Sequence, residues 1–231
     1  MRFGFSFVLV LASSTGYAGG YDTPMLYAGE HMGMGGAAVA GVSDPSALFH
    51  NPAGLAQVKK GSALLHVTYL NGDVTGSPGS TPEATSITSQ PTSAPFPLLG
   101  FAYRVHPKLV LGVGAFPIAS AGASYVYETA LNTVTDSTTL IFAEAGPALG
   151  LDLGRVRIGL GYRVTTMMLD RYSGGRDVDP TIDFTLEGTH ASGFRVGLQA
   201  DVIKRSDLTL EMGLNYRHQV VMYPTDPSAR A

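Results

Sequence analysis

From Val156 onward the chain alternates with period two, and one of the two resulting faces is wholly apolar. Val156, Ile158, Leu160, Tyr162 and Val164 are separated by Arg157, Gly159, Gly161, Arg163 and Thr165. Phe194, Val196, Leu198, Ala200 and Val202 alternate with Arg195, Gly197, Gln199 and Asp201. Leu208, Leu210, Met212, Leu214 and Tyr216 alternate with Thr209, Glu211, Gly213, Asn215 and Arg217. Successive side chains of a strand point to opposite faces, so each run predicts a strand with one apolar side. The other side is built from Gly, Arg and small polar residues. Each run is about nine residues long, close to the ~9–11 that a tilted strand needs to cross a bilayer.

Four weaker runs precede these. Residues 62–70 place Leu65, Val67 and Tyr69 opposite His66 and Thr68. Leu99, Phe101, Tyr103 and Val105 alternate with Gly100, Ala102 and Arg104, and Leu109, Leu111 and Val113 with Gly112 and Gly114. Residues 141–153 carry Leu149, Leu151 and Leu153 opposite Glu144, Gly150 and Asp152. The predicted links alternate in length, short at 106–108, 153–154 and 204–207, long and polar at 71–95, 119–138 and 173–190. Short turns on one side and long loops on the other are the habit of outer-membrane barrels.

Composition separates this from a soluble sandwich, which alternates too. Charged residues make up 14% of the chain, against about 25% in soluble domains. No stretch after the N-terminus approaches the ~18 consecutive apolar residues of a spanning helix. The expected fold is therefore all-β, a transmembrane antiparallel β-barrel with about seven strands across residues 61–223. Seven strands do not close a barrel of the usual even count. The polar tail, residues 224–231, is predicted to form no further strand.

The N-terminus reads as a secretion signal over residues 1–18. Arg2 is followed by the apolar run FGFSFVLVLA, with Gly16 and Ala18 placed for cleavage. The absence of cysteine fits an exported chain. A net charge of −3 makes nucleic acid an unsuitable partner.

Residues 19–60 are expected to form a small plug, or hatch. Gly33, Gly35 and Ala38 imitate a dinucleotide-binding loop, but no strand leads into them. The small residues of 33–41 suit tight packing in a confined lumen instead. Asp44-Pro45 predicts a helix start with one turn over 46–49, and Asn51-Pro52 an extended break after it.

Several of these stretches together resemble the outer-membrane hydrophobic-compound transporters, the long-chain fatty acid and toluene porins. The matching residues are Gly33-Met34-Gly35-Gly36-Ala37, Asp44-Pro45-Ser46-Ala47 and Asn51-Pro52-Ala53-Gly54-Leu55. Phe101-Ala102-Tyr103-Arg104, Gly159-Leu160-Gly161-Tyr162 and Leu214-Asn215-Tyr216-Arg217 are similar downstream. The resemblance implies a hatch inside a fourteen-stranded barrel, of which this chain carries the hatch and the first half.

It further implies passive, plug-gated uptake of a hydrophobic small molecule across the outer membrane of a Gram-negative bacterium, with lateral release into lipid. The partners would be a hydrophobic ligand, outer-membrane lipid and the barrel-assembly machinery. Asn51, Pro52, Ala53 and Gly54 would gate. They would lie against a wall kink in the third strand, at Phe116, Pro117 and Gly122. Pro117 has no N–H for the ladder, so a break or bulge follows from its chemistry; the other reading is that it ends the strand.

Arg104, Arg157 and Arg163 are candidates for holding a carboxylate, since guanidinium offers two-point contacts. Nothing in the sequence spells a catalytic site, a metal site or a cofactor site, and no enzyme is expected. The alternatives are a structural or adhesive surface barrel, and a truncated nonfunctional relative of the transporters.

Overall fold

The computed structural model describes residues 27–76, 87–129, 132–175, 180–205, 207–223 and 228–229. The expected signal segment lies outside them. The alternating runs form seven antiparallel strands: β1 Gly61–Gly72, β2 Thr92–His106, β3 Leu109–Glu128, β4 Thr133–Asp152, β5 Val156–Gly175, β6 Ile182–Lys204 and β7 Thr209–Arg217. Each pairs with its sequence neighbour in one continuous sheet, and the sheet curls into a half-barrel. Among the described residues β1 and β7 are edge strands and do not pair with one another.

Most strands outrun their apolar bands. Residues 119–138 and 173–190, expected as long loops, are mostly ladder: Glu128 pairs with Thr133, and Ser173 with Ile182. Much of these extensions is small or polar on both sides and carries little period-two signal, the exception being Ile182, Phe184 and Leu186, which alternate with Asp183, Thr185 and Glu187; Tyr125, Val126, Val134 and Thr135 favour extended backbone. The 71–95 link also contains a two-residue pairing, Thr75–Gly76 with Ile87–Thr88. A further correction concerns the tail. Ser228–Ala229 pair with Thr185 and Phe184 of β6, prolonging the track of β7 without adding a strand position.

Burial is inverted relative to a water-soluble sheet. The large apolar side chains of the alternating runs face outward, with Leu65 70%, Tyr103 65% and Leu214 66% exposed. Arg157, Arg163, Arg195, Gln199 and Asp201, on the opposite face, are buried. What buries them is the N-terminal segment, residues 27–60, which packs on the concave face. It holds two short helices, α1 Gly29–Gly33 and α2 Ala47–His50, and a 3-10 helix Pro52–Gln57.

The apolar core lies at one side of that interface. Tyr27, Val42, Leu48, Leu55 and Val58 pack with Phe96 and Leu98 of β2 and Val110 and Phe116 of β3. Over β4 to β7 the same interface is polar. No helix among the described residues is long and apolar enough to cross a membrane.

Candidate functional site

The segment is seated by its own turns. The Asp44 carboxylate accepts hydrogen bonds from the Ser46 N–H at 2.8 Å and the Ser46 hydroxyl at 2.5 Å, and α2 follows one residue later. Asn51 is extended (φ −166°, ψ 109°), as a residue before proline should be. Its Oδ1 accepts from the Ala53 N–H at 3.1 Å and so caps the 3-10 helix. Its Nδ2 donates to the Val39 carbonyl at 2.7 Å and to the Leu198 carbonyl of β6 at 3.0 Å. One buried amide thus joins three pieces of chain.

Gln199 reinforces the joint, donating to the carbonyls of Val39 and Val42 at 3.2 and 3.1 Å. Gln57 donates to the Gln199 Oε1 at 3.1 Å. Beneath Asn51-Pro52-Ala53 lie Gly159 of β5 and Gly197 of β6. A Cβ at Gly159 would overlap the Pro52 and Ala53 backbone, and one at Gly197 the Asn51 Oδ1. Gly54 sits as tightly against the Val42 carbonyl.

The expected kink is a β-bulge inside a continuous strand. Pro117 pairs with Ala143 and Ala119 with Phe142, leaving Ile118 as the extra residue. The strand runs eleven residues past Pro117 to Glu128, so proline does not end it. Gly122 lies in regular ladder opposite Thr139. The neighbour of the bulge differs from the expected one. The Tyr27 hydroxyl donates to the Pro117 carbonyl at 2.6 Å, while Asn51 is bonded to β6, three strands further round the sheet. Tyr27 meets Phe49 edge-on at 4.9 Å, and Phe49 meets Phe116 at 5.5 Å, so an aromatic stack covers the bulge from the concave side. Burial raises the Tyr27 pKa above its ordinary value, which keeps the hydroxyl a donor.

The His50 Nε2–H donates to the Tyr27 carbonyl at 3.0 Å, and the ring meets the His31 ring at 4.8 Å. Burial pushes its pKa down to about 4, so the ring is neutral at ordinary pH.

The charged residues form two buried groups. Arg157 pairs with Asp201 and stands 3.8 Å from Glu211. Glu144 receives three guanidinium groups: Arg163, Arg195 at 3.1 Å and Arg217 at 2.7 Å. Arg195 also donates to the Leu48 and Phe49 carbonyls of the N-terminal segment. Arg104 stands apart and donates to the carbonyls of Val58 at 2.8 Å, Ala56 at 2.5 Å and Pro107 at 2.6 Å, clamping the end of the segment to β2. Each of the three candidate carboxylate-binding arginines thus has acceptors within the chain.

Tyr27, Gln57 and Gln199 were not legible as site residues. Gln199 differed from its neighbours by being the one amide on the inner face of its run. Tyr27 carried no signal beyond being an aromatic residue among small ones. No group of three or more potential metal ligands occurs among the described residues.

No family model, curated protein or solved structure matches the chain.

Proposed function

We propose that the protein is an outer-membrane channel component for passive uptake of hydrophobic small molecules, with residues 27–60 acting as its hatch. The observation that carries the reading is the inverted sheet: exposed large apolar side chains face outward on six of the seven strands, with Leu149 and Leu151 of β4 half-buried, while charges and amides are buried under the N-terminal segment. Exposed apolar surface on this scale is stable against hydrocarbon and unstable against water. The ladder pairs backbone groups strand to strand, as a spanning structure in lipid requires, except between β2 before Leu99 and β3 beyond Ala115, which pair only with β1 and β4.

The Ile118 bulge supplies the lateral route. A cleft of about 550 Å³ on the concave side is lined by Ile118, Ala119 and Phe142. A second of about 490 Å³ is lined by Leu65, Leu99, Ala115, Pro117 and Val164, largely on the outward side. The two depressions flank one defect in the ladder, where small side chains leave the wall thin. A hydrophobic solute passing there moves from a partly wet cavity into lipid, avoiding the ~0.8 kcal/mol per CH₂ of exposure to water.

The hatch is held to the sheet by bonds that can be exchanged: one from Asn51, two from Gln199 and those of Arg195. The test is flux of a neutral hydrophobic dye into liposomes holding the full-length protein. Flux above that of protein-free liposomes, reduced when Ile118 is deleted, is the expected result. Flux equal to that of protein-free liposomes contradicts the proposal.

A further inference from the structure

His190 and Ser192 stand where β6 bulges against β5. Arg163 pairs with Gly193 and Thr165 with His190, so Ala191 and Ser192 together oppose Val164 alone. On the other side of β6 the ladder with β7 ends at Arg195, short of both residues. The Ser192 hydroxyl lies 3.0 Å from the His190 Nε2, and the His190 Nδ1 lies 3.0 Å from the Val221 carbonyl. A carbonyl only accepts, so Nδ1 carries the proton of the neutral ring and Nε2 is bare. The serine is then the donor to Nε2. A histidine in that state can take the proton of an attacking hydroxyl, its tautomer fixed by a third group.

The third group is set by the fold and not by sequence proximity, since Val221 lies 31 positions beyond His190. The segment after β7 brings it back. The His218 N–H donates to the Phe194 carbonyl at 3.0 Å, and the Arg163 Nη1 donates to the His218 carbonyl at 3.0 Å. The Tyr162 hydroxyl donates to the Ala191 carbonyl and pins the bulge. A bulge takes backbone groups out of the ladder. The N–H groups of Ala191 and Ser192 are therefore the candidate donors to the oxyanion that forms when a carbonyl is attacked.

Tyr162, Phe194 and Tyr216 form a row at one end of the outward apolar band. Tyr162 pairs with Phe194, whose ring centre is 5.9 Å from that of Tyr216. Ser192 is exposed and lies two positions beyond Phe194, away from the band. In a membrane such an aromatic row sits at the boundary between hydrocarbon and headgroups. The ester carbonyls of lipids lie at that same level.

We infer that Ser192 and His190 are the nucleophile and base of an esterase site for carboxylic esters of membrane lipids. The Ser192 Oγ bonds to the acyl carbon as its proton passes to the His190 Nε2. The ester C–O bond breaks, and the departing alcohol takes that proton. Water then attacks the acyl-serine and gives a proton to His190; the carboxylic acid leaves and Ser192 regains its proton. The activity is additional to uptake, and only the choice of a lipid ester rests on the membrane reading.

The test exposes the full-length protein in uncharged detergent to a fluorophosphonate probe, and separately to the p-nitrophenyl esters of octanoate and acetate. Covalent labelling mapped to Ser192 by mass spectrometry is expected, with the octanoate ester turned over faster than the acetate. Ser192→Ala and His190→Asn should each lower hydrolysis by about 100-fold or more, the scale of a lost general base, with strand content unchanged by circular dichroism. Absence of label at Ser192 in the unaltered protein overturns the inference without any variant. Hydrolysis undiminished in Ser192→Ala overturns it too. Faster turnover of the acetate ester overturns the assignment to lipid. Neutral-dye flux in liposomes should be unchanged in Ser192→Ala and reports separately: flux without hydrolysis sinks this inference alone, and hydrolysis without flux sinks the transport reading alone.

Discussion

Gly159 and Gly197 owe their identity to what lies above them. The Pro52–Ala53 backbone and the Asn51 amide come so close to the sheet that a Cβ has no room, and the obstacles are mainly backbone. Gly161, one step along the same face, would place its Cβ 3.6 Å from the Ala148 Cβ, an ordinary contact. Gly197→Ala and Gly159→Ala are therefore expected to unseat the N-terminal segment at a cost of about 1–3 kcal/mol, as overpacking does. Gly161→Ala should be nearly silent. Limited proteolysis of residues 27–60 reads the difference: faster cleavage in the first two variants, unchanged in the third. Asn51→Ala belongs beside them. It removes the bond to the Leu198 carbonyl of β6 and one of the two donors to the Val39 carbonyl, and a loss of about 1–3 kcal/mol in docking of the N-terminal segment is expected. In the sequence, these glycines were visible as the small half of an alternation, but their partners on the hatch were not. Contacts between Asn51 and Leu198 span 147 positions, and no local pattern encodes them.

At the scale of elements, the N-terminal segment docks as a titratable body. His50 has its pKa lowered to about 4 by burial, from an ordinary value of 6.5. Asp44 favours its charged form, while His31 and Arg195 oppose it. A depressed histidine pKa means that the undocked segment binds the proton more readily than the docked one. Docking is then at full strength above about pH 6.5, weakens as pH falls towards about 4, and loses nothing more to this residue below that. Hydrogen exchange of residues 47–57 between pH 7 and 4 checks the sign: protection should fall on acidification, and His50→Asn should flatten the profile. The other decisive element is β3. Deleting Ile118 removes the extra residue and restores regular pairing with β4 on both sides. Hydrophobic flux should drop severalfold while the sheet remains folded by circular dichroism. The seven strands were readable where apolar and small residues alternate, and their polar extensions were not. Pro117 announced a defect in the strand. Whether the strand stopped or bulged there depended on β4 continuing alongside.

For the whole molecule, the sheet has a direction as well as a sidedness. β1 and β7 are both odd-numbered strands of an up-and-down sheet and run the same way. Antiparallel closure in hydrocarbon therefore takes an odd number of further strands. A second copy inserted in the same orientation would present β1 parallel to β7 instead. Edge groups left bare in lipid cost several kcal/mol each, so closure is a condition of the membrane reading. The all-β half-barrel was legible from alternation and low charge. The segment lying on its concave face was legible as small-residue packing, but the charge cluster that ties it to β4, β5, β6 and β7 needed three-dimensional neighbours.

The central claim is that the outward face of this sheet meets hydrocarbon. The chain contains no cysteine, so a single spin label can be placed at will. Labels at Leu65→Cys, Leu160→Cys and Leu214→Cys on the outward face, and at Thr165→Cys on the concave face, would be compared in lipid vesicles by collision with oxygen and with a water-soluble nickel complex. High oxygen and low nickel accessibility at the three leucine positions, and neither pattern at Thr165, is the predicted result. High nickel accessibility at the three leucine positions would contradict the account.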